Sequence, residues 1–272
     1  MNPAPKSKTY RNILASGLYL LAGGHAYASC NLTQGGSDKI IQVVDGDTVI
    51  LSSGKQVRMV GTQAPKLTLN RKNFIDWPLA DTAKIELENI VLGKQVTLKY
   101  GGLKTDRHRR ILAHLFIKGD NGQDIWLQEH MLKQGLARTY SFKDNRSCIT
   151  ELLTAENSAR VTNKNIWAHE YYNIIHATDL KTLDQKHGTY QLIEGKLLKF
   201  EYRYGQLYFN FGQNYRTDFT INVPKRHRMA FAQSNLDFKN MVGKTIRVRG
   251  WLEKRGGPMI EATHPEQLEF LD

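Results

Sequence analysis

The sequence predicts an α+β protein that is mostly β-structure, built as a barrel with helices followed by a second small barrel. Apolar runs typical of strands fill residues 39–60, and apolar residues at helical spacing follow at 79–92. A further group of strand-like runs fills residues 190–262. The chain of 272 residues is long enough for two units that each bury a core.

The first barrel opens with three predicted strands. Residues 40–44, 48–51 and 56–60 are apolar and rich in β-branched side chains, and a Ser-Ser-Gly turn precedes the third run. The helical pattern of residues 79–92 ends before Gly93, a residue type that commonly terminates helices.

The remainder of the first barrel adds two strands and two helices. Residues 96–100 and 111–117 have strand patterns, and a strong turn signal follows at 119–122. Residues 125–134 and 146–161 have helical spacing. Antiparallel strands curled around a helix, with further helices at the end, are the plan of a small α+β barrel.

The N-terminus has the pattern of a secretory signal. Basic residues precede an apolar run at 13–24, and the small residues Ala26 and Ala28 stand before a cleavage point. We therefore expect a signal peptide at residues 1–28, export to the periplasm or medium, and no membrane segment in the mature protein. A membrane anchor is the alternative, although the apolar run is shorter than a spanning helix needs. Acylation of Cys30 as a lipoprotein is a weaker alternative.

The chain has two cysteines, Cys30 and Cys148. In an oxidising compartment an isolated pair favours a disulfide over a metal site. The bridge would close a loop of over a hundred residues, which constrains the unfolded chain by at most about 4–5 kcal/mol. Two unrelated buried thiols are the alternative.

The charge balance favours a polyanionic partner. The chain carries 38 basic and 26 acidic residues, a net charge of +12. A basic surface attracts nucleic acid, although many basic proteins bind none.

One bend concentrates chemistry-bearing residues. Residues 44–48 read VDGDT, Arg58 follows ten positions later, and residues 63–66 read QAPK. Two carboxylates on either side of a glycine are costly to bury unless a cation or an array of donors shares them. Asp45 has the alternative role of a turn-former, and Arg58 the alternative role of an ion-pair partner on a strand.

Five motifs in order give the first barrel a family resemblance. Together they resemble the thermonuclease, or staphylococcal-nuclease-like, family across residues 39–167. The resemblance implies an OB-type five-stranded barrel with three helices, and the second unit looks like another small OB-like barrel. The motifs are at residues 44–48, 57–65, 105–110, 131–137 and 165–167.

The resemblance implies a phosphodiester-cleaving site. By position, Asp47 matches a calcium carboxylate, and Arg58 and Arg110 match two arginines that clamp the scissile phosphate. Guanidinium groups suit this role because they donate paired hydrogen bonds to phosphate oxygens.

Two positions depart from the family pattern. Gln63 stands at the second calcium carboxylate and Lys66 stands at the glutamate that helps to activate water. Gln63 and the Ala64 carbonyl still offer oxygens to a hard cation. The cofactor expected from the sequence is therefore calcium in a weakened site, or none.

Lys66 leaves three outcomes open. It could point away while Asp45, Asp106 or Asp76 activates water. It could replace the charge of the metal and clamp phosphate without metal. The chemistry could also be lost, leaving a groove that only binds, because a fold tolerates loss of its site.

Two further segments suggest nucleic-acid contacts. Arg107, His108 and Arg109 precede Arg110 in a basic loop that could bind nucleic acid or be a solvated charge run. In the second unit, tyrosine and phenylalanine alternate with arginine, a pattern suited to stacking on a single strand. The alternative is that about half of these aromatic residues are core. The residues are Tyr202, Arg203, Tyr204, Tyr208, Phe209, Phe211, Tyr215 and Arg216.

We therefore expect an exported monomer with a thermonuclease-like domain at residues 29–169, a linker at 170–188 and an OB-like domain at 189–272. The first hypothesis is hydrolysis of DNA or RNA, with single strands favoured, and phosphate clamped by Arg58 and Arg110. The alternative is a catalytically impaired homologue that binds nucleic acid or protein.

Overall fold

The computed structural model describes Met1, residues 30–234 and residues 236–271. The signal peptide predicted at residues 1–28 lies outside the described residues except for Met1. Within the described part of the chain, no helix combines the length and apolar character needed to cross a membrane.

The first unit is the predicted five-stranded barrel. Its strands follow the order β3-β2-β1-β5-β6, and parallel pairing of β3 with β6 closes the sheet. The short strand β7 extends the sheet beyond β6, while β4 and β8 form a separate ladder. The bounds are β1 Thr33–Asp45, β2 Thr48–Leu51, β3 Gln56–Met59, β4 Gly61–Gln63, β5 Gln95–Tyr100, β6 Ile111–Lys118, β7 Asp124–Trp126 and β8 Arg138–Tyr140.

Three helices pack on this barrel, as the resemblance implies. They are α1 Ala80–Val91, α2 Leu127–Lys133 and α3 Ile149–Val161. Helix α1 buries Ala80, Ala83, Leu87 and Val91, which lie on one face at helical spacing. Helix α2 begins two residues later than expected because Asp124–Trp126 continues a hairpin from β6, with Trp126 opposite Phe116.

A disulfide joins Cys30 to Cys148, at the residue before α3. The predicted bridge is confirmed, and neither cysteine is free. It ties the beginning of the described chain to the last helix of the first barrel.

The second unit is also a strand-rich sheet structure. Its sheet follows the order β11-β12-β13-β15-β14-β10-β9, and β16 pairs with β14. The strands are β9 Ile175–His176, β10 Tyr190–Lys196, β11 Lys199–Arg203, β12 Gln206–Asn210, β13 Thr220–Val223, β14 Thr245–Arg255, β15 Gly257–Glu261 and β16 Leu268–Phe270. The helices are α4 Leu180–Gln185 and α5 Arg228–Ala232. Across the two units, short 3₁₀ turns occupy Asn165–Ala168, Glu170–Tyr172, Lys225–His227, Phe238–Met241 and Pro265–Gln267.

Each unit has its own apolar core, and a third apolar cluster joins them. That cluster includes Ile166 and Trp167 at the end of the first unit and Tyr190 and Leu192 on β10. The two barrels therefore pack against each other.

Charged residues cross the same boundary. Arg249 on β14 lies 2.9 and 3.0 Å from the two carboxylate oxygens of Glu156 on α3, and it also pairs with Glu269 on β16. The side chains of Arg249 and Glu156 are 0% and 1% exposed. We call these three residues the joint, because they link a helix of the first barrel to strands of the second.

Candidate functional site

The bend between β1 and β2 holds the two acids of the motif. Asp45 ends β1 and Thr48 begins β2, and these two residues are paired across the ladder. A Cβ on Gly46 would come within 2.7 Å of the Cβ atoms of Ala64 and Ala83. Glycine is therefore required here, because the bend packs directly against helix α1 and the loop after β4.

Lys66 points into this bend rather than away from it. Its Nζ lies 2.6 and 2.7 Å from the two carboxylate oxygens of Asp47 and 3.0 Å from Oδ2 of Asp45. The Lys66 side chain is 16% exposed. Its ammonium group therefore lies between both acids. We call Asp45, Asp47, Arg58 and Lys66 the corner.

Asp47 is completely buried and accepts hydrogen bonds from several other donors. Arg58 Nη1 is 2.8 Å from Oδ1, the backbone N–H of Ala64 donates to Oδ2 at 2.7 Å, and Thr48 Oγ1 donates at 3.1 Å. With Lys66, these donors satisfy the carboxylate without any added ion.

The two acids of the corner titrate differently. Burial acts to raise the pKa of Asp45, but Lys66, the hydrogen bond with Asp47 and Arg58 together hold that pKa well below its usual range. Burial, with the charge of Asp45 acting in the same direction, raises the pKa of Asp47 against the opposing effect of Arg58 and Lys66. Asp45 also accepts a hydrogen bond from the backbone N–H of Asp47 at 3.1 Å, so it has the turn-forming contact as well.

Arg58 is committed to the protein interior. It lies on β3 opposite Thr48 and is only 8% exposed. Besides its ion pair with Asp47, it donates to the backbone carbonyls of Asp47, Met59 and Thr62 at 3.2, 3.1 and 2.6 Å. Its guanidinium therefore has few donors left for a phosphate.

Arg110 stands immediately before β6, the strand that pairs in parallel with the strand of Arg58. Its Nε and Nη2 atoms each lie 2.7 Å from Oδ2 of Asp106. Burial acts to raise the pKa of Asp106, but hydrogen bonds from Arg110 and His108 lower it overall. The side chain of Arg110 is 30% exposed, so this guanidinium can still reach solvent.

The remaining residues of the basic loop are exposed. Arg107, His108 and Arg109 all face solvent, and Arg107 Nε donates to His108 Nε2 at 3.1 Å. Arg109 has a left-handed backbone with φ of 63°. This loop presents positive charge beside the end of the barrel that carries Arg110.

The residues present do not fit calcium. Ca²⁺ takes six to eight oxygen ligands at about 2.3–2.6 Å, whereas the acid oxygens here are already in contact with the Lys66 ammonium. The Ala64 N–H also donates to Asp47, and Gln63 is half-buried. In the described part of the chain, no three His, Cys, Asp or Glu residues are placed to hold a metal ion.

The acids considered as substitutes for the family glutamate all have partners. Asp45 contacts Lys66 and Asp106 contacts Arg110. Asp76 accepts hydrogen bonds from the hydroxyl of Thr68, at 2.5 Å, and from its backbone N–H. These contacts leave none of the three acids free to accept a proton from water.

Two contributors to the corner were not predicted from the sequence. Thr48 belongs to the VDGDT motif, but its strand pattern alone did not indicate that its hydroxyl donates to Asp47. The Thr62 carbonyl, which holds Arg58, carries no signal in the sequence because any residue provides a carbonyl.

Comparisons with known proteins identify the first unit from β3 onward. A family described as Staphylococcal nuclease homologue matches residues 56–169. The thermonuclease of Staphylococcus hyicus is 30% identical over 134 residues, which cover 48% of this chain and 75% of that protein.

Two further relatives match over a similar length. The thermonuclease of Staphylococcus intermedius is 26% identical over 152 residues, covering 55% of this chain and 86% of that protein. Endonuclease YncB of Bacillus subtilis is 26% identical over 136 residues, covering 48% and 61%. The family match ends at residue 169 and therefore does not include the second barrel.

Proposed function

Because this chain belongs to the family of staphylococcal nuclease homologues, we propose that it binds the phosphodiester backbone of nucleic acid without calcium-dependent cleavage. The family relationship supports a nuclease-type function with nucleic acid as substrate. The observation that carries the finer proposal is the position of Lys66, whose Nζ lies within 2.6–3.0 Å of three carboxylate oxygens of Asp45 and Asp47.

The loss of calcium-dependent cleavage follows from the charges at the corner. Two acids face two basic side chains, so the formal charge is already balanced before any metal ion arrives. A divalent cation would have to displace an ammonium group at hydrogen-bond distance and would be repelled by it until then. An ammonium group also cannot accept a proton from water, so Lys66 does not replace the family glutamate as a base.

Binding depends on exposed residues of the same barrel, in the loop that precedes β6. Arg107 and Arg109 are exposed and Arg110 is partly exposed, while Arg58 is held inside. Exposed basic side chains bind a phosphate backbone by releasing its counterions, with no requirement for metal. We therefore assign phosphate contact mainly to the 107–110 loop and a supporting role to the buried arginine.

Metal-independent hydrolysis is the second candidate. It is favoured by the relatives that are named thermonucleases and an endonuclease and by the partly exposed guanidinium of Arg110, which can donate hydrogen bonds to a phosphate. It would correspond to slow cleavage that chelators leave unchanged.

A single experiment separates the two candidates. Labelled single-stranded DNA, single-stranded RNA and duplex DNA are incubated with the protein in calcium, in magnesium and in chelator, with binding and cleavage followed together. We expect binding in all three conditions and no cleavage. Cleavage that persists in chelator and disappears in Arg110→Gln would establish the second candidate, whereas calcium-dependent cleavage by the natural sequence would contradict both.

The binding part has its own matched control. Arg107→Gln with Arg109→Gln removes two exposed charges from the loop, while Lys181→Gln with Lys196→Gln removes two exposed charges from the second barrel. Each lost phosphate contact on a single strand reduces the slope of log affinity against log salt by about 0.7. We expect a reduction near ~1.4 for the loop variant and a much smaller one for the control.

A further inference from the structure

The outer face of the second barrel has a cavity lined by tyrosine and arginine side chains. In strands β11, β12 and β13, Phe200, Phe209 and Ile221 are paired across the sheet and face the core. Their neighbours Glu201 and Tyr208 are paired on the opposite face. That face carries a cavity of about 270 Å³. We call it the tyrosine groove; the lining residues that matter here are Arg203, Tyr204, Tyr208, Asn210, Tyr215 and Thr220.

We propose that the tyrosine groove binds single-stranded nucleic acid, with bases stacked on its tyrosines and phosphates at its arginines. The site lies in the second barrel, so it is separate from the corner. It rests on the proposed function only in the class of ligand.

Tyr204 occupies a position that folding alone does not favour. It is 81% exposed, so it contributes little to the core. It also has a left-handed backbone with φ of 50°, followed by Gly205 at 79°, in the two-residue turn between β11 and β12. Such turns favour Asn-Gly, because a bulky side chain at positive φ is strained. A strained, exposed tyrosine indicates a role other than stability.

Tyr215 provides a second ring at the same cavity. It is 55% exposed and follows the end of β12 in the loop before β13. Tyr208 is half-buried on the strand between them. Three rings of graded exposure around one cavity give bases flat surfaces on which to stack, and every base has such a face.

Arginines supply the charge. The Arg203 guanidinium lies 5.1 Å from the ring centre of Tyr204, and that of Arg216 lies 5.6 Å from the ring centre of Tyr215. Arg255 at the same cavity is paired with Glu253 at 2.8 Å. By contrast, neither Arg203 nor Arg216 forms an ion pair among the residues that the structure describes, although Arg203, after Lys199, contributes to lowering the pKa of Glu201. Cations that form no ion pair beside stacking rings suit a phosphate backbone better than a neutral ligand.

The floor of the groove is polar and ordered. Asn210 and Thr220 are 4% and 2% exposed although they lie on the outer face. Thr220 Oγ1 donates to Asn210 Oδ1 at 3.1 Å, and Asn210 Nδ2 donates to Glu201 at 3.0 Å. Each amide nitrogen has two hydrogens, so Asn210 keeps a donor for the edge of a stacked base.

A matched pair of tyrosine variants tests the proposal. Tyr204→Ala with Tyr215→Ala removes the two exposed rings of the groove. Tyr202→Ala is the control, because Tyr202 is 58% exposed on β11, two residues before Tyr204, but hydrogen-bonds Arg228 outside the groove. Binding of a short oligothymidylate and of a duplex of equal length is measured by fluorescence anisotropy, with thermal unfolding to confirm that each variant folds.

We expect the double variant to bind oligothymidylate at least about tenfold more weakly, since stacking contributes substantially for each base. Duplex binding and the Tyr202→Ala variant should remain near the natural protein. Equal oligothymidylate affinity in the double variant and the natural protein would overturn the proposal. Loss of affinity only in the Arg107→Gln, Arg109→Gln variant would also overturn it while leaving the proposed function intact.

One further outcome identifies a different ligand. If a neutral oligosaccharide binds the natural protein, loses affinity in the tyrosine double variant, and oligothymidylate binding does not change, the groove is a sugar site and the proposal is wrong. If the groove variant loses oligothymidylate binding and the loop variant does not, the groove proposal stands and the phosphate role of the 107–110 loop fails.

Discussion

The corner and the joint are both buried clusters of opposite charge, but they differ in where their acids come from. At the corner, Lys66 and Arg58 meet two acids that a single bend brings together within one barrel. At the joint, Arg249 meets acids from two barrels, Glu156 on α3 and Glu269 on β16. The corner therefore resembles a binding site that an internal cation has filled, whereas the joint holds two units together.

This difference shows that a buried ion pair does not by itself identify a functional site. Moving charges out of water costs several kcal/mol per ion, and the attraction between the paired charges roughly offsets that cost. Removing one partner therefore destabilises the protein most where the remaining charge has no other partner. What separates the clusters is whether a substitute is available, and this is testable.

The largest expected effect is at the joint. Arg249→Met leaves Glu156 buried with one fewer partner, and we expect a loss of about 3–5 kcal/mol in the free energy of unfolding. Lys66→Met should cost less, because Arg58, the Ala64 N–H and Thr48 still contact Asp47. Urea unfolding of both variants measures the difference. Equal losses would mean that the two clusters are held in the same way.

Calcium provides the control for that pair. Added calcium should restore part of the lost stability of Lys66→Met, because this substitution leaves acid oxygens free to bind the ion. Calcium should leave Arg249→Met unchanged, since the acids of the joint come from two separate elements rather than from one bend.

Acid should weaken the boundary between the two barrels through His264. This buried histidine contacts Ser141 of the first barrel at 2.6 Å and Thr263 at 2.8 Å. Burial lowers its pKa from 6.5 to about 4. The unfolded chain therefore binds the proton more readily, so stability is lost as the pH falls from about 6.5 towards 4, by up to about 3 kcal/mol.

The unfolding free energy at pH 7 and at pH 4.5 measures this loss, and His264→Asn should reduce the loss by about a third to a half. The remainder is expected from His114 in the first barrel, where burial also lowers the pKa to about 4, and from His227, whose pKa is lowered by burial and by Arg226. An unchanged pH dependence in His264→Asn would show that the boundary between the barrels does not respond to acid.

The smallest expected effect tests how tightly the corner is packed. Gly46→Ala would place a methyl group 2.7 Å from the side chains of Ala64 and Ala83, and we expect a loss of about 1–3 kcal/mol. Gly36→Ala on β1 is the control, because nothing lies within 4 Å of its added Cβ. Thermal unfolding measures both. A neutral Gly46→Ala would mean that the bend adjusts freely.

Local patterns located most strands and helices of the first barrel along the chain, and the helical spacing of residues 79–92 matched α1. The five-stranded barrel with three helices was implied by the family resemblance, and the order of its strands came from the structure. Strand alternation holds on β12 of the second barrel, where Phe209 is core and its neighbour Tyr208 lies on the opposite face. Spacing indicates which face a side chain takes, and this was enough for those elements.

Long-range contacts were beyond the sequence. Arg249 alternates with apolar residues on β14 and therefore reads as an outward-facing charge, yet it is buried because the first barrel covers that face. The direction of Lys66 also depended on a contact across 19 positions with Asp47. Its position in the motif showed that the family pattern was broken, but not that the ammonium would fill the gap.

The most direct measurement is a calorimetric titration of calcium into the natural protein and into the variant Lys66→Glu with Gln63→Asp, followed by the cleavage assay on both. We expect no binding heat and no calcium-dependent cleavage from the natural protein. The variant should bind calcium and gain calcium dependence, because it replaces the internal cation with oxygen ligands. Saturable calcium binding by the natural protein, or an unchanged response in the variant, would contradict the role assigned to Lys66.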